Sequence, residues 1–574
     1  MLVWCMLICA CVAPSDGMMR LWPAAMAGPA YVARRSDIPW RDTALADTPD
    51  TLLLSTDPKS VACQQYFQGR PEGGLAPWRL WAVPASRWSA LILPSFLAIL
   101  FFFAILRKQW VEYERLQFPL ARVPLEFTEG SANSDRLLPT LFSNRTFLVG
   151  LLICTAFRAL RASPLLFGAE SGWNPPIPFA DVLQGTALEN LHMVNVNIWW
   201  NAIGFAYLVP ADVSLSIWFF YLFGRTEMLV AAQYGSSLHY GGSWSQLQYW
   251  QMAGSYLSFT AGALFMARHH LSDVAKKALG LRRSIDDSEE PVPYSAAFWG
   301  FLISMALVIG WFVFYGMKLW VAVLLMVLVF SILLSHARIT AQSGMYVTQP
   351  NLSSPNILHG LGFGRVFGPK GAVIGVLYHE IFINGSTSLL APPAIHAMRI
   401  SEVFQRRRRR WLMPALVVAI VVGMAASGWT AVNMAYDGGA VNFGDTWGEM
   451  DHPRNMYWTA HQITQQPYQH FQAKWVPFGI GLGLTGFVMF MRARFYWWPI
   501  HAIGLLGTGN WHIDRMWVPF LIGWLVKTCF VKFGSGRLVR EARFFFIALI
   551  LTEAFWGGVS TLVRTITKGA VPGF

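Results

Sequence analysis

Residues 91–106 read LILPSFLAILFFFAIL, an uncharged run that breaks at once into Arg107-Lys108 and the mixed stretch QWVEYERLQFPLARVPLEF. A spanning helix takes about 20 predominantly apolar residues, rising 1.5 Å each through roughly 30 Å of hydrocarbon. Runs of this kind occur at 88–106, 147–167, 198–223, 247–267, 296–315, 319–335, 372–390, 411–432, 476–491, 516–533 and 544–563. Shorter ones at 1–13, 18–32 and 497–508 add up to three partial or re-entrant segments. The expected fold is all-α, a polytopic transmembrane helix bundle of about 11 to 14 membrane segments, some of them broken. Composition agrees, with 54% hydrophobic and 13% charged residues against about 25% charged in a soluble domain. We expect a partial N-terminal membrane region and polar loop at 1–87, a main transmembrane domain at 88–410 and a C-terminal one at 411–574.

The formal charge of +13 does not point to nucleic acid, because the cations follow apolar runs in short clusters. Lys and Arg near span ends mark cytoplasmic loops. Arg268, Lys276, Lys277, Arg282 and Arg283 place the loop after 267 in the cytoplasm, and the arginines at 406–410 do the same before 411. The cation-poor segment 434–474 then faces outward. The acidic DDSEE at 286–290 does not disturb this reading, since carboxylates count little. The start, MLVWCMLICACVAPSDG, has too short an apolar run to cross and lacks a cationic lead, so we expect it to be the tail of a helix encoded further upstream. Six cysteines show no CxxC pair and no metal-ligand spacing, and neither a disulfide framework nor a metal or cofactor is expected.

Ionisable groups inside apolar runs are costly unless they face a cavity or a partner. Asp212 follows Pro210 in GFAYLVPADVSLSIWFF; the proline frees a carbonyl one turn earlier, and the carboxylate either caps the second half-helix or lines a site. Asn197 and Asn201, at i and i+4, are expected on one helix face, next to His192 and Asn195. Glu553 lies within FFFIALILTEAFWGGVSTLV and could pair with Lys527. His379-Glu380 suggests an interfacial pair, and Arg225 and Glu227 a span end. The glycines of GLGFGRVFGPKGAVIG do not have phosphate-loop or dinucleotide spacing, and no GxSxG or HExxH motif appears.

In RKQWVEYERLQFPLARVPLEF, Arg107 and Lys108 are expected to halt the helix at the interface and Glu112 to pair with Arg115. Phe118-Pro119 should turn the chain, and Pro119 and Pro124 disfavour regular helix. Glu114-Arg115-Leu116, Phe118-Pro119 and Pro124-Leu125-Glu126 resemble the signature of an uncharacterised family of bacterial multispanning proteins, itself similar to the oligopeptide-transporter (OPT, yellow-stripe-like) superfamily. GFAYLVPADVSLSIWFFYLF, RFYWWPIHAIGLL and WVPFLIGWLVKTCFVKFG resemble further parts of that family, with His501-Ala502 standing where His-Pro is usual.

The resemblance implies a secondary active transporter of small peptides or related small solutes in the bacterial inner membrane. Its pathway would run near Glu114, Phe118, Pro119, Asn201, Pro210, Asp212 and Glu553, with H+ or Na+ as coupling ion, and homo-oligomerisation is left open. Two rivals stand beside it. One is a membrane-embedded transferase acting on a lipid-linked substrate through Asp445, Glu449, Asp451 and His452; the other is a structural subunit whose charges are all paired. The orientation is open to test: single-cysteine variants near Arg408 should resist a membrane-impermeant thiol reagent added to intact cells, and those in 434–474 should react. Strong external labelling near Arg408 would invert the scheme.

Overall fold

The computed structural model describes residues 1–14, 18–34, 38–70, 76–128, 140–167, 185–186, 196–234, 246–282, 285–345, 352–383, 389–443, 447–466, 471–508 and 512–566. Among them every regular element is helical. Eight helices are long and apolar enough to cross a membrane: Trp78–Tyr113, Ala211–Gln233, Tyr294–Phe314, Leu319–Ser343, Arg407–Gly438, Lys474–Arg494, Arg515–Phe533 and Gly536–Val563. The chain is a membrane protein. These eight fall on eight of the expected runs. The other three runs overlap helices that are not among the eight: Arg145–Phe167, which has Arg158 in mid-course, Gln246–Ala278, which opens on QLQYWQ, and the 14-residue Pro369–Phe382.

Two compact units interleave along the chain. The first comprises Met1–Leu116, Tyr256–Arg338 and Gln349–Ile480; the second comprises Gln117–Ser255, Ile339–Thr348 and Gly481–Phe574. In the first, Trp78–Lys108 packs along Tyr294–Phe314, Leu2–Ala10 against Leu412–Gly438, and Pro369–Phe382 against His452–Gln465. Hydroxyls join two of its helices: Tyr256 meets His336 Nε2 at 2.8 Å, and Thr260 sits between Ser331 and Ser335. In the second unit, Gly536–Ile566 packs on Arg145–Phe167 and Trp200–Leu208, and Ile513–Phe533 on Trp200–Leu208 and Ala211–Gln233. The contact at Trp200–Leu208 is close because Gly204 has no side chain. A Cβ there would come within 2.6 Å of the Phe546 carbonyl oxygen, the kind of small-residue approach that membrane helices use in place of hydrophobic pressure.

Arg107 does not stop its helix at a lipid interface. The chain winds on through Lys108 and a further turn, Gln109–Tyr113, and the Arg107 guanidinium is buried. It binds Glu290 through two bonds (2.7 and 2.8 Å), Glu402 at 3.0 Å and Glu112 at 2.8 Å. Glu112 is therefore Arg107's partner and not Arg115's. Glu290 is the last residue of the acidic DDSEE run, which thus contributes an anchor for this helix. The expected irregular segment after Phe118 is also corrected: Pro119–Thr128 is a helix, with Pro119 in its first turn, where a missing N–H is no loss, and Pro124 inside it.

Removing one partner of a buried ion pair strands the others, at about 3–5 kcal/mol. Arg107→Met should therefore lower unfolding stability in detergent by that order. Lys108→Met, whose ammonium reaches only the Asp286 carbonyl at 3.5 Å, should cost no more than about 1 kcal/mol.

Candidate functional site

The site in the second unit is built on the interruption that Pro210 imposes. Trp200–Leu208 ends at Val209 (φ −79°, ψ 161°), Pro210 follows at φ −56°, ψ 143°, and Ala211–Gln233 begins directly after. Two extended residues thus separate two half-helices. Proline has no N–H to give the carbonyl four residues earlier, so Ala206 O loses its helical donor. The Ser214 hydroxyl, buried in the next turn, donates to Ala206 O at 2.8 Å instead. The Val209 carbonyl takes a second substitute, the Lys527 ammonium at 2.5 Å. Lys527 lies in electrostatic range of Asp212 and Arg122, and its Nζ is 5.8 Å from the centre of the Tyr207 ring.

Asp212 stands in the first turn of the second half-helix, where a carboxylate meets the positive end of the helix dipole. Its side chain pairs with Arg492 at 2.6 Å. Behind it, the Ser216 hydroxyl donates to the Asp212 carbonyl at 2.6 Å and accepts the His501 N–H at 2.6 Å. The His501-Ala502 departure is accommodated locally: Ala502 precedes the short helix Ile503–Leu506, and His501 Nδ1 accepts the Ile503 N–H.

The signature turn reaches the same unit at Phe118. Its backbone is left-handed (φ 46°), and its N–H donates to Ala341 O at 2.8 Å, a carbonyl in the last turn of Leu319–Ser343. Gly344, at φ 66°, closes that helix; a Cβ there would meet Pro119 at 3.0 Å and Phe205 at 3.2 Å. Pro119 is thereby packed close to the first half-helix, one turn before the break. Glu114 belongs to the first unit, where Arg338 pairs with it and Gln109 donates to it at 2.9 Å.

The remaining expectations fare unevenly. Glu553 pairs with Arg158 and not with Lys527, which the Val209 carbonyl has taken. Asn201 is in the first turn of its helix and its Oδ1 accepts the Ala202 N–H. Asn197 precedes the helix, so the two amides do not share a helical face; His192 and Asn195 lie outside the described residues. The helix carrying Arg225 and Glu227 runs on to Gln233, burying Arg225, and Gln251 donates to Glu227 at 3.1 Å. His379 is fully buried, with a ring nitrogen on the Leu352 carbonyl at 2.7 Å. Glu449, Asp451 and His452 turn to three different partners, Arg20, Arg454 and Glu380; Asp445 is outside the described residues. Burial lowers the His452 pKa, although Glu380 pulls the other way.

A family model described as a family of unknown function (DUF6785) matches residues 1–572. The chain belongs to that family. No match is found among curated proteins. Neither finding carries the likeness to oligopeptide transporters.

Sequence reasoning found the break and missed its donors. Ser214 was visible as a hydroxyl one turn after the proline, and Lys527 as a lone cation inside an apolar run. Ser214→Ala should cost about 1–3 kcal/mol by leaving a buried carbonyl without its donor. Thr226→Ala removes an ordinary i−4 hydroxyl bond from exposed helix and should stay within about 0.5 kcal/mol. Chemical or thermal unfolding of the two variants in one detergent checks the contrast.

Proposed function

We propose that this chain is a secondary active transporter of small peptides or related small solutes across the bacterial inner membrane. One observation carries the reading: the chain breaks helix at Val209-Pro210, directly before the spanning helix Ala211–Gln233, and the carbonyls freed there are met by the Ser214 hydroxyl and the Lys527 ammonium. Interrupted helices are how transporters present carbonyls and helix ends to a solute at membrane depth. The resemblance of 107–127, 204–223, 494–506 and 517–534 to a family itself similar to oligopeptide transporters supports the same reading, and the absence of a nucleotide-binding motif in the sequence leaves an ion gradient as the energy source.

The geometry favours H+ over Na+ as the coupling ion. A metal cation at such a break would bind the freed carbonyl and the nearby carboxylate. Here Lys527 has the Val209 carbonyl and Arg492 has Asp212. The transferase reading is weaker, because Glu449, Asp451 and His452 are engaged with separate partners.

Proteoliposomes holding the purified protein should accumulate labelled di- and tripeptides under a pH gradient, equally well in sodium and in choline buffer. Asp212→Asn should reduce that uptake at least tenfold while remaining inserted and monodisperse. Sodium-dependent uptake would refute proton coupling, and full uptake by a well-folded Asp212→Asn would reduce Asp212 to architecture. No uptake of any peptide by the native protein would remove the substrate class.

A further inference from the structure

The first unit carries a charged surface that the transport reading does not use. Residues 403–412 read VFQRRRRRWL, five arginines directly before the uncharged stretch 411–436. Arg406–Arg409 form one turn of helix, Arg410 continues it (φ −63°, ψ −23°), and Leu412–Gly438 follows after Trp411. One arginine fastens the turn to the protein: Arg409 donates to the Glu289 carbonyl at 2.6 Å and to the Glu402 carbonyl at 3.1 Å.

The others are left open. Arg407, Arg408 and Arg410 are exposed, and among the described residues none of the three makes a side-chain hydrogen bond or ion pair. The nearby carboxylates are engaged elsewhere: Glu402 is held by Arg107 and Arg399, and Glu290 by Arg107. Glu289 is exposed, so three cations stand against one carboxylate. Topology alone does not ask for this composition, because Lys and Arg count alike as cytoplasmic signals. A guanidinium differs from an ammonium in gripping phosphate through two parallel N–H bonds. Arg407 and Arg410, three apart on the turn, lie on one face with Cβ atoms roughly 5–6 Å apart.

Depth identifies the partner. A bilayer about 40–45 Å thick around roughly 30 Å of hydrocarbon leaves a polar layer of roughly 5–8 Å on each side. At 1.5 Å per residue, Arg410 and Arg407 stand roughly 3 and 8 Å before Leu412, at the level of lipid phosphates. Val403 and Trp411, at the two ends of the turn, are 62% and 67% exposed. A lipid interface covers such side chains, and tryptophan favours that layer; a soluble polyanion would leave both in water.

We propose that Arg407 and Arg410, with Arg408 beside them, bind the head group of an anionic glycerophospholipid in the leaflet they face. Charge complementarity selects this class: a zwitterionic head would bring its own ammonium against the arginines, whereas an anionic one supplies phosphate without it. The inference is independent of transport and of Asp212.

Native mass spectrometry of the full-length, delipidated protein tests it, with phosphatidylglycerol, phosphatidylethanolamine and a single-stranded oligoribonucleotide as probes. The native protein should retain phosphatidylglycerol at least tenfold more tightly than phosphatidylethanolamine. Arg407→Gln combined with Arg410→Gln should cut that preference at least fivefold. Lys276→Gln combined with Arg282→Gln should keep it, because Lys276 lies roughly 13 Å beyond Ala267, past the phosphates, and Arg282 is paired with Asp273. Equal retention of the two lipids by the native protein would overturn the proposal, whether or not the variants fold. Unchanged preference in a folded Arg407→Gln, Arg410→Gln protein would overturn it too, as would equal losses in both double variants, which would mean diffuse attraction to any basic surface. Tighter retention of the oligoribonucleotide than of phosphatidylglycerol would assign the arginines to nucleic acid instead.

Discussion

A carbonyl that leaves a helix within lipid has no water to turn to, and a donor from the protein must take the place of the lost N–H. That constraint organises the second unit. Pro210 creates two such carbonyls in four residues, and each is met by a different chemistry: a neutral hydroxyl from across the break at Ala206, and an ammonium from Ile513–Phe533 at Val209. The end of Leu319–Ser343 creates a third, Ala341, met by the Phe118 N–H. Phe118 adopts a left-handed backbone that costs a side-chain-bearing residue roughly 1–2 kcal/mol. Among the described residues only Arg115 and Phe118 are non-glycine positions with positive φ, and both lie in the one signature stretch. The strained turn persists because it satisfies a helix end.

Charge follows the same rule. Asp212 has Arg492, Glu553 has Arg158, Glu114 has Arg338, and Arg107 gathers three carboxylates. Burying such pairs adds little net stability over apolar packing, yet breaking one is expensive. Their effect is therefore to specify partners: a helix displaced by one turn would leave a charge without its counterpart. Arginine suits fixed pairs, since its planar fork binds carboxylate in a set geometry. Lysine is a compact charge on a flexible stem. The arginines hold carboxylates here, and the one lysine at the break holds a carbonyl.

Long apolar runs made the helical membrane character legible, because a run of that kind has few other folds open to it. Pro210 made the interruption legible for an equally local reason. The partners were not legible, because distance along the chain hides them: 318 residues separate Lys527 from Val209, and 183 separate Arg107 from Glu290. Cations at helix ends read as topology signals, and that general reading concealed Arg107 and Arg492 as individual partners. The Asn197–Asn201 face failed because its helix starts at Trp200, a boundary that no cap residue in the sequence announces.

The donors at the break also differ in what it would take to release them. Ser214 is fully buried and its hydroxyl reaches back across the break to Ala206, so its contact changes only if the two half-helices part. Asp212 and Arg492 are both partly open, with side chains 27% and 40% exposed, and an exposed ion pair contributes only about 0–1 kcal/mol. Lys527 stands between these cases, half-buried and bound to a carbonyl that has no covalent reason to prefer it over another donor. An exchange at this site would therefore begin at the Asp212–Arg492 pair, pass to Lys527 and leave Ser214 in place. The interruption keeps its shape through the hydroxyl while its charged donors are the parts free to trade.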